Sequence, residues 1–369
     1  MNQQTQTAPD VAATRPHPFW ADTPVRASRR GHFWVTAERV AQGGGTYQRG
    51  PMFVAWEAPE QVTQSYPVVL VHGGTSQGTE WGDTPDSRPG WAQRFVEAGY
   101  AVLVVDRPAH GRSPYHSDIL GPMSPPFTYD RCRQLYFPEG GGETQWLFDP
   151  TDDAAFDAFL APYGPLPANL ALSQDLDADR LARLLDRIGP AIVVTRSASG
   201  PAGWLVADRR PGLVKAIVSI EPMGPAFSRT PGIGALEWGL TAAPVTYDPP
   251  RAEPDEARTA DPATLCIPAL AGLPVAVVSG ETSSFAKAAP AIADFLATAG
   301  AAVEHIHLPE HGIRGNGHGL IYEKNSDEAL QPVLRWLAAH VTTDDEGASH
   351  DRTRVGLARS CDHVSVERT

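Results

Sequence analysis

Ser197 lies where an apolar run ends and a helical pattern begins, and the residues around it are small. Residues 191–194 are apolar, the helical pattern starts at Pro201, and Thr195 and Ser199 flank the serine at the positions where glycine is commonest in such turns. At the tip of a sharp strand-to-helix turn, a serine hydroxyl is held out over the sheet edge, where it can attack a carbonyl carbon. The alternative is an ordinary helix N-cap, because this short pattern often arises by chance.

A serine hydroxyl is a weak nucleophile at neutral pH, so it needs a neutral imidazole within hydrogen-bond reach. His318 lies in the glycine-rich stretch 315–319, after the last predicted strand, and we expect it to be this base. The alternative for His318 is a loop histidine that bonds only to backbone. His311 is the reserve candidate. His72 is weaker, because its His-Gly-Gly context favours shaping a loop.

The third member of such a site is a carboxylate that orients the imidazole and stabilises the imidazolium. Two glutamates follow predicted strands: Glu221 comes after residues 216–220, and Glu281 comes after residues 275–280. Spacing does not separate them, and the alternative for each is a solvated loop residue. The residues by themselves leave the identity of the acid open.

Backbone N–H groups are expected to form the oxyanion hole of this site. A predicted strand at residues 68–71 leads into His72 and two glycines, where the bare backbone lets a carbonyl oxygen approach closely. We expect one donor to be the N–H of Ala198, directly after the serine, and the second to be that of Gly74 or its neighbour Gly73.

Short apolar strands that alternate with helical patterns must position these residues. The predicted strands are 68–71, 101–105, 191–194, 216–220, 275–279 and 303–308, and the predicted helices are 91–98, 177–188, 201–208, 288–298 and 328–340. Residues 31–40 and 51–56 predict an N-terminal antiparallel hairpin, separated by the glycines at 43–45. This alternation predicts an α/β fold with a mostly parallel sheet and helices on both faces.

Two stretches, 114–175 and 222–272, interrupt this alternation. Both are rich in Pro, Gly and aromatic residues, and both are too long for ordinary connections. Each begins at the carboxyl edge of a predicted strand, where ligand clefts of open sheets form. We therefore expect a cap built from these insertions, the alternative being surface excursions without a ligand role.

Aromatic residues of the first insertion are candidates for an apolar substrate pocket. Phe127 and Tyr129 are the leading ones, and the others are Tyr136, Phe137, Trp146 and Phe148. Trp81 and Gly73 are candidates to join the pocket from the oxyanion loop. Arg196, beside the nucleophile, either attracts a substrate carboxylate or pairs with a neighbouring acid. The alternative for most of the aromatics is a small core within the cap itself.

Composition limits the class of protein. The 369 residues are 42% hydrophobic and carry 30 basic against 43 acidic side chains, a net charge of -13. This charge argues against nucleic acid and anionic membrane as main partners and favours a soluble protein. The expected partner is a small-molecule ester. The sequence has no cofactor motif, so neither a metal nor an organic cofactor is expected. The three cysteines are too far apart for a disulfide framework, although one bridge can form.

The chain is expected to form one domain, residues 31–341, with a partly disordered arm at 1–30 and a disordered tail at 342–369. The first twenty residues lack the apolar core of a secretory signal, which predicts a cytoplasmic location, the alternative being secretion by means of a leader that the given sequence does not include. No apolar run approaches membrane-spanning length. The oligomeric state is not encoded in one chain, and a homodimer is one arrangement that the sequence permits.

Four segments, 80–91, 195–200, 218–222 and 312–319, together resemble an atypical bacterial serine esterase subfamily of the α/β-hydrolase superfamily. The resemblance extends from about Gly31 to His340. It implies the α/β-hydrolase fold and cleavage of a carboxylic ester through an acyl-enzyme intermediate. The chain order of nucleophile, acid and base is the one expected of that superfamily.

In that subfamily the acid is a glutamate after strand six, in a Val-Ser-x-Glu-Pro context. The resemblance thus implies Glu221 as acid, Ser197 as nucleophile and His318 as base. The chain departs from the pattern at Arg196, where histidine is usual, and at Gly74 and the residue after it, where relatives carry larger side chains. A lactonase, an amidase or an acyltransferase would use the same three residues, and the alternative outside enzymes is a catalytically silent ligand-binding protein of the same fold.

Overall fold

Twelve strands and nine α-helices, besides short 3-10 helices, occur in residues 25–137 and 144–341, the parts of the chain that the computed structural model describes. The strands are β1 (Ser28–Val35), β2 (Arg39–Gln42), β3 (Gly45–Gln48), β4 (Met52–Pro59), β5 (Val68–Val71), β6 (Val102–Asp106), β7 (Ala191–Arg196), β8 (Val214–Ile220), β9 (Arg229–Thr230), β10 (Gly234–Ala235), β11 (Pro274–Ser279) and β12 (Ala302–His307). The helices are α1 (Trp91–Glu97), α2 (Ser117–Leu120), α3 (Tyr129–Tyr136), α4 (Asp153–Leu160), α5 (Leu170–Ile188), α6 (Gly200–Arg209), α7 (Pro254–Thr259), α8 (Ala289–Thr298) and α9 (Ser326–His340). The expected tail at 342–369 and most of the expected arm at 1–30 lie outside the described residues.

Eight strands form one sheet in the order β1-β4-β6-β5-β7-β8-β11-β12. The pairs β1–β4 and β4–β6 are antiparallel, and the pairs from β6 to β12 are parallel. The central strands are buried on both faces, which is why they read as runs of Val and Ile rather than as alternating patterns. The predicted mostly parallel sheet is confirmed.

The N-terminal antiparallel pair is present, but its first strand is shorter than predicted. β1 ends at Val35 and pairs with β4 from Val35 opposite Met52. Of the predicted continuation, residues 36–38 lie in no strand, and residues 39 and 40 belong to a second small hairpin, β2–β3. Gly43 and Gly44 have φ angles of 56° and 81°, which is the geometry that a two-residue hairpin turn requires.

Helices cover both faces of the sheet. On one face lie α5, α6 and α8, which contribute Leu181, Leu205 and Ile292 to one buried cluster. On the other lie α1 and α9, which contribute Phe95 and Trp336 to a second buried cluster. The sheet is thereby the central layer of three, and the carboxyl ends of its parallel strands share one edge.

The helix α5 begins earlier than predicted, at Leu170 rather than at residue 177. The Asn169 side chain accepts a hydrogen bond of 3.0 Å from the N–H of Leu172, and this N-cap fixes the start of the helix. The end of the predicted insertion 114–175 is therefore helical. The remaining predicted elements agree with the structure to within a few residues, the usual uncertainty of element ends.

The two insertions pack against different faces of the molecule. Residues 114–175 place Tyr136 and Phe159 in the cluster that also contains Tyr322, near the loop of His318. Residues 222–272 place Trp238 and other apolar side chains in the cluster with α5, α6 and α8. The first insertion thus borders the candidate site, and most of the second packs beside a layer of helices. The role of the two insertions as a cap stays a prediction.

Candidate active site

Ser197 lies at a strained turn between β7 and the helix that follows. Its φ angle is 54°, a left-handed conformation that costs free energy in a residue with a side chain and that clusters at functional sites. Ser199 stabilises the turn, because its hydroxyl donates to the carbonyl of Val71 at 3.0 Å and accepts from the N–H of Arg196 at 2.9 Å. The small polar residue at 199 therefore ties the turn to the end of β5.

The turn brings Ser197 to His318. The Oγ of Ser197 is 3.0 Å from Nε2 of His318, across 121 residues of sequence. On the other side of the ring, Nδ1 of His318 is 3.4 Å from Oε2 of Glu221. Ser197 is half-buried, whereas the other two side chains are buried. The three side chains form a continuous hydrogen-bonded row.

Glu221 directly follows β8 and is held in place by two further donors. Its φ angle is 48°, its Oε1 accepts from the N–H of Gly280 at 2.6 Å, and its Oε2 accepts from the hydroxyl of Ser283. Glu281 points elsewhere: its carboxylate pairs with Arg314 at 2.8 Å on the surface. The structure therefore brings Glu221 to the imidazole and does not bring Glu281. Nothing in the sequence pattern singled out Ser283.

Burial holds the imidazole of His318 in its neutral form. Burial lowers the pKa of His318 below its usual 6.5, while the hydrogen bond to Glu221 opposes that shift and the charge of Arg196 adds to it. The ring also packs on Phe285, with ring centroids 4.2 Å apart. His311, the reserve base, is exposed on the short helix that follows β12. A neutral imidazole at neutral pH is the state that can accept a proton.

The loop after β5 runs beside the turn of Ser197. A Cβ added to Gly74 would lie 3.0 Å from the Cβ of Ala198, a contact tighter than side chains usually make, so glycine allows this approach without displacing Ala198. The N–H of Gly73 donates to Oε1 of Glu80 at 2.9 Å, and within the described chain the N–H of Gly74 has no such partner. Of these two glycines, Gly74 is therefore the one whose N–H is not already engaged by a described residue.

His72 has both ring nitrogens engaged with backbone. The N–H of Arg107 donates to Nε2 at 2.9 Å, which leaves Nδ1 to donate to the carbonyl of Gly73 at 2.8 Å. Burial and the charge of Arg107 lower the pKa of His72 well below its usual value. The imidazole therefore shapes the loop and contacts neither Ser197 nor a carboxylate.

Arg196 pairs with an acid that the sequence analysis did not identify. Its Nη1 is 3.2 Å from Oε2 of Glu80, and its Nη2 donates to the carbonyl of His318 at 2.8 Å. Tyr322 donates its hydroxyl to the same Oε2 at 3.0 Å. The guanidinium is thus buried in an ion pair, the second of the two interpretations of Arg196. In the sequence, the only indication that Glu80 could belong to the site is its position shortly after the loop of Gly73.

Some residues predicted to line a substrate pocket lie apart from the cavity of the structure, and other aromatic residues of the first insertion pack beside it. Tyr129 is 47% exposed and donates to Asp157, Phe127 lies under the guanidinium of Arg131, and Trp81 is buried against Trp91. The other aromatics of the first insertion pack on one another, and Phe148 among them borders a cavity of about 250 Å³. The cavity is lined by Ser76, Thr79, Glu80, Asp83, Pro85, Phe148, Ala155, Ala158, Phe159, Pro162, Tyr163 and Tyr322. Of the predicted pocket residues Gly73, Trp81, Arg196, Phe127 and Tyr129, none lines it.

The described residues contain no group of three or more His, Cys, Asp or Glu side chains placed to hold a metal ion. None of the helices seen in residues 25–137 and 144–341 has the length and apolar character needed to cross a bilayer.

Comparisons with known proteins place this geometry in context. No model of a protein family matches the chain. A probable secreted lipase, phiG, from Fungal sp. (strain ATCC 74256) is 36% identical over 326 residues, which cover 80% of this chain and 87% of that protein. The solved structure of a novel bacterial esterase superposes with a TM-score of 0.65 at 22% identity, covering 86% of this chain and 98% of the other. The first likeness shows a common family, and the second shows a common fold.

Proposed function

The chain belongs to the α/β-hydrolase superfamily and is a carboxylic ester hydrolase, and on that premise we propose that Ser197, His318 and Glu221 form its catalytic triad. The resemblance stated from the sequence motifs is thereby confirmed at the level of the superfamily and of the reaction class. The observation that carries the triad is the row of contacts through the imidazole, 3.0 Å to Ser197 and 3.4 Å to Glu221.

In the proposed mechanism, Oγ of Ser197 attacks the ester carbonyl carbon while Nε2 of His318 accepts the hydroxyl proton. The tetrahedral intermediate collapses when His318 returns this proton to the departing alcohol oxygen, which leaves an acyl-enzyme ester on Ser197. A water molecule then attacks the acyl carbon while Nε2 of His318 accepts a proton from it, and His318 passes this proton to Oγ of Ser197 as the carboxylic acid leaves. Glu221 orients the ring throughout and stabilises the imidazolium.

The oxyanion of each tetrahedral intermediate is proposed to bind the backbone N–H groups of Gly74 and Ala198. Three features support this assignment. A Cβ added to Gly74 would lie 3.0 Å from the Cβ of Ala198, the N–H of Gly73 is engaged by Glu80, and Ala198 is the second residue of the helical segment Ser197–Ser199, whose first N–H groups lack intrahelical acceptors.

We propose that the cavity of about 250 Å³ holds an apolar group of the ester. The aromatic rings of Phe148, Phe159 and Tyr163 supply an apolar wall, and Glu80 connects the cavity to the oxyanion loop through the N–H of Gly73. The pocket-forming aromatics of this proposal therefore come from later in the first insertion than Phe127 and Tyr129.

The cytoplasmic location expected from the sequence is not supported, since the fungal relative is a probable secreted lipase. We propose that this chain also acts in an oxidising compartment. Cys266 is disulfide-bonded, and structural disulfides are rare in the cytosol. Cys132 is a free, buried thiol. Dimer formation stays a prediction.

Labelling with a fluorophosphonate and a hydrolysis screen together test the proposed triad. We expect the wild-type protein to form an adduct at Ser197 and to cleave p-nitrophenyl esters, and we expect the folded Ser197→Ala variant to do neither. Lactones and amides in the same screen separate the related hydrolases that use these residues. A folded, active Ser197→Ala variant would refute the nucleophile, and a wild-type protein without an adduct would favour a silent binding protein.

A further inference from the structure

We propose that Glu80 is a positioning residue that holds the oxyanion loop against the nucleophile turn through a buried ion pair with Arg196. The inference rests on the proposed function, because it assigns Glu80 a role in the oxyanion hole of that site. Glu80 touches none of the reacting atoms and acts through the backbone of the loop.

The two oxygens of the Glu80 carboxylate accept hydrogen bonds from different parts of the site. Oε1 accepts from the N–H of Gly73 at 2.9 Å, in the loop after β5. Oε2 accepts from Nη1 of Arg196 at 3.2 Å, in the residue before the nucleophile, and from the hydroxyl of Tyr322 at 3.0 Å, four residues after the base. One carboxylate therefore joins the oxyanion loop, the nucleophile turn and the histidine loop.

The arginine extends this connection to the base itself. Nη2 of Arg196 donates to the backbone carbonyl of His318 at 2.8 Å, and a Cβ added to Gly73 would lie 3.1 Å from Nη1. The side chains of Glu80 and Arg196 are both 1% exposed. Water therefore cannot replace either partner, and losing one leaves a buried charge uncompensated.

The contact with Gly73 determines which N–H of the loop is free. Because Glu80 holds the N–H of Gly73, it restrains the backbone that leads into Gly74, where an added Cβ would lie 3.0 Å from Ala198. Without that acceptor, the peptide groups of the two glycines lose the restraint that aims the N–H of Gly74. Preorganised donors contribute to turnover and not to ground-state binding, so the effect should fall on kcat.

The experiment compares Glu80→Gln with the matched variant Glu237→Gln. The control substitution weakens the ion pairs of another glutamate with arginines, on the surface and away from the site. Glutamine has one oxygen in place of two, and the charge of Arg196 competes with Gly73 for it. For Glu80→Gln we therefore expect kcat to fall by about 10²-fold with KM within about twofold, as for loss of one oxyanion donor. Affinity for a trifluoromethyl ketone, whose adduct carries an oxyanion, should fall by a similar factor. Affinity for the matching methyl ketone should not change.

A double variant, Glu80→Met with Arg196→Met, removes both buried charges and the acceptor of Gly73, and provides a folded protein where the single variant unfolds. We expect its kcat and its ketone affinity to be low, because the N–H of Gly73 then has no side-chain acceptor. Wild-type kcat and ketone affinity in either folded variant would overturn the inference, and so would an equal loss of affinity for both ketones. Absence of hydrolysis that depends on Ser197 in the wild-type protein would instead overturn the proposed function.

Discussion

Replacing Glu221 with glutamine tests the acid of the proposed triad most directly. The variant keeps the shape of the side chain and one acceptor oxygen for Gly280 but loses the charge that faces His318. A carboxylate 3.4 Å from an imidazolium stabilises it by about 5 kcal/mol at an effective dielectric constant of about 20. That free energy corresponds to a loss of roughly 10³- to 10⁴-fold in turnover, in line with the loss known for an orienting carboxylate.

The assay is kcat/KM for a p-nitrophenyl ester, measured on variants shown by circular dichroism to be folded. Glu281→Gln is the matched control, because its carboxylate pairs with Arg314 on the surface, and it should change kcat/KM by less than about twofold. The reasoning fails if Glu281→Gln loses most activity while Glu221→Gln keeps it, since the acid would then follow β11 rather than β8.

Three further predictions follow from burial and from the cavity. The acidic limb of kcat/KM should have its midpoint below pH 6.5, because the lowered pKa of His318 keeps the base neutral until the pH falls through that value, and a midpoint above 6.5 would contradict this burial effect. Ala155→Trp should reduce the hydrolysis of bulky esters and leave that of acetyl esters near the wild-type rate. Ala154→Trp, on the same helix but outside the cavity lining, should reduce neither rate. Equal losses for all esters in Ala155→Trp would place the substrate elsewhere. Burial raises the pKa of Glu323 from 4.5 to about 7, so the folded state binds this proton more tightly than the unfolded state, and the stabilisation is lost as pH rises from 4.5 to about 7. The free energy of unfolding, measured with urea, should therefore decrease less between pH 5 and pH 7.5 for Glu323→Gln than for wild type. An equal decrease in both proteins would assign this pH dependence to other groups.

The strand and helix order was predictable because each element carries a local pattern. Val68–Val71 and Ala191–Arg196 are buried on both faces and therefore read as apolar runs. The end of β1 was not predictable from its pattern, since residues 36–40 continue the same mixture of apolar and polar types. The start of α5 was recoverable from its N-cap, Asn169, which the periodicity alone did not weigh.

The row of site residues was predictable only in part. Ser197 and His318 lie in local turn patterns, but the choice between Glu221 and Glu281 depended on a resemblance, because two adjacent parallel strands end at the same edge. Glu80 and Tyr322 were not identified, since their roles arise from contacts between loops far apart in sequence. Which aromatic rings face the cavity depends on packing in three dimensions, and no local pattern records it.

The central strand β5 lies between β6, which follows it soon in the chain, and β7, which is separated from it by the whole first insertion. During synthesis on the ribosome, Val68–Val71 therefore has one hydrogen-bonding edge without a partner until residues 191–196 emerge. Four consecutive aliphatic residues with an open edge are a template for pairing with other nascent chains. High-level expression of this protein should accordingly benefit from chaperones that shield the edge until β7 arrives.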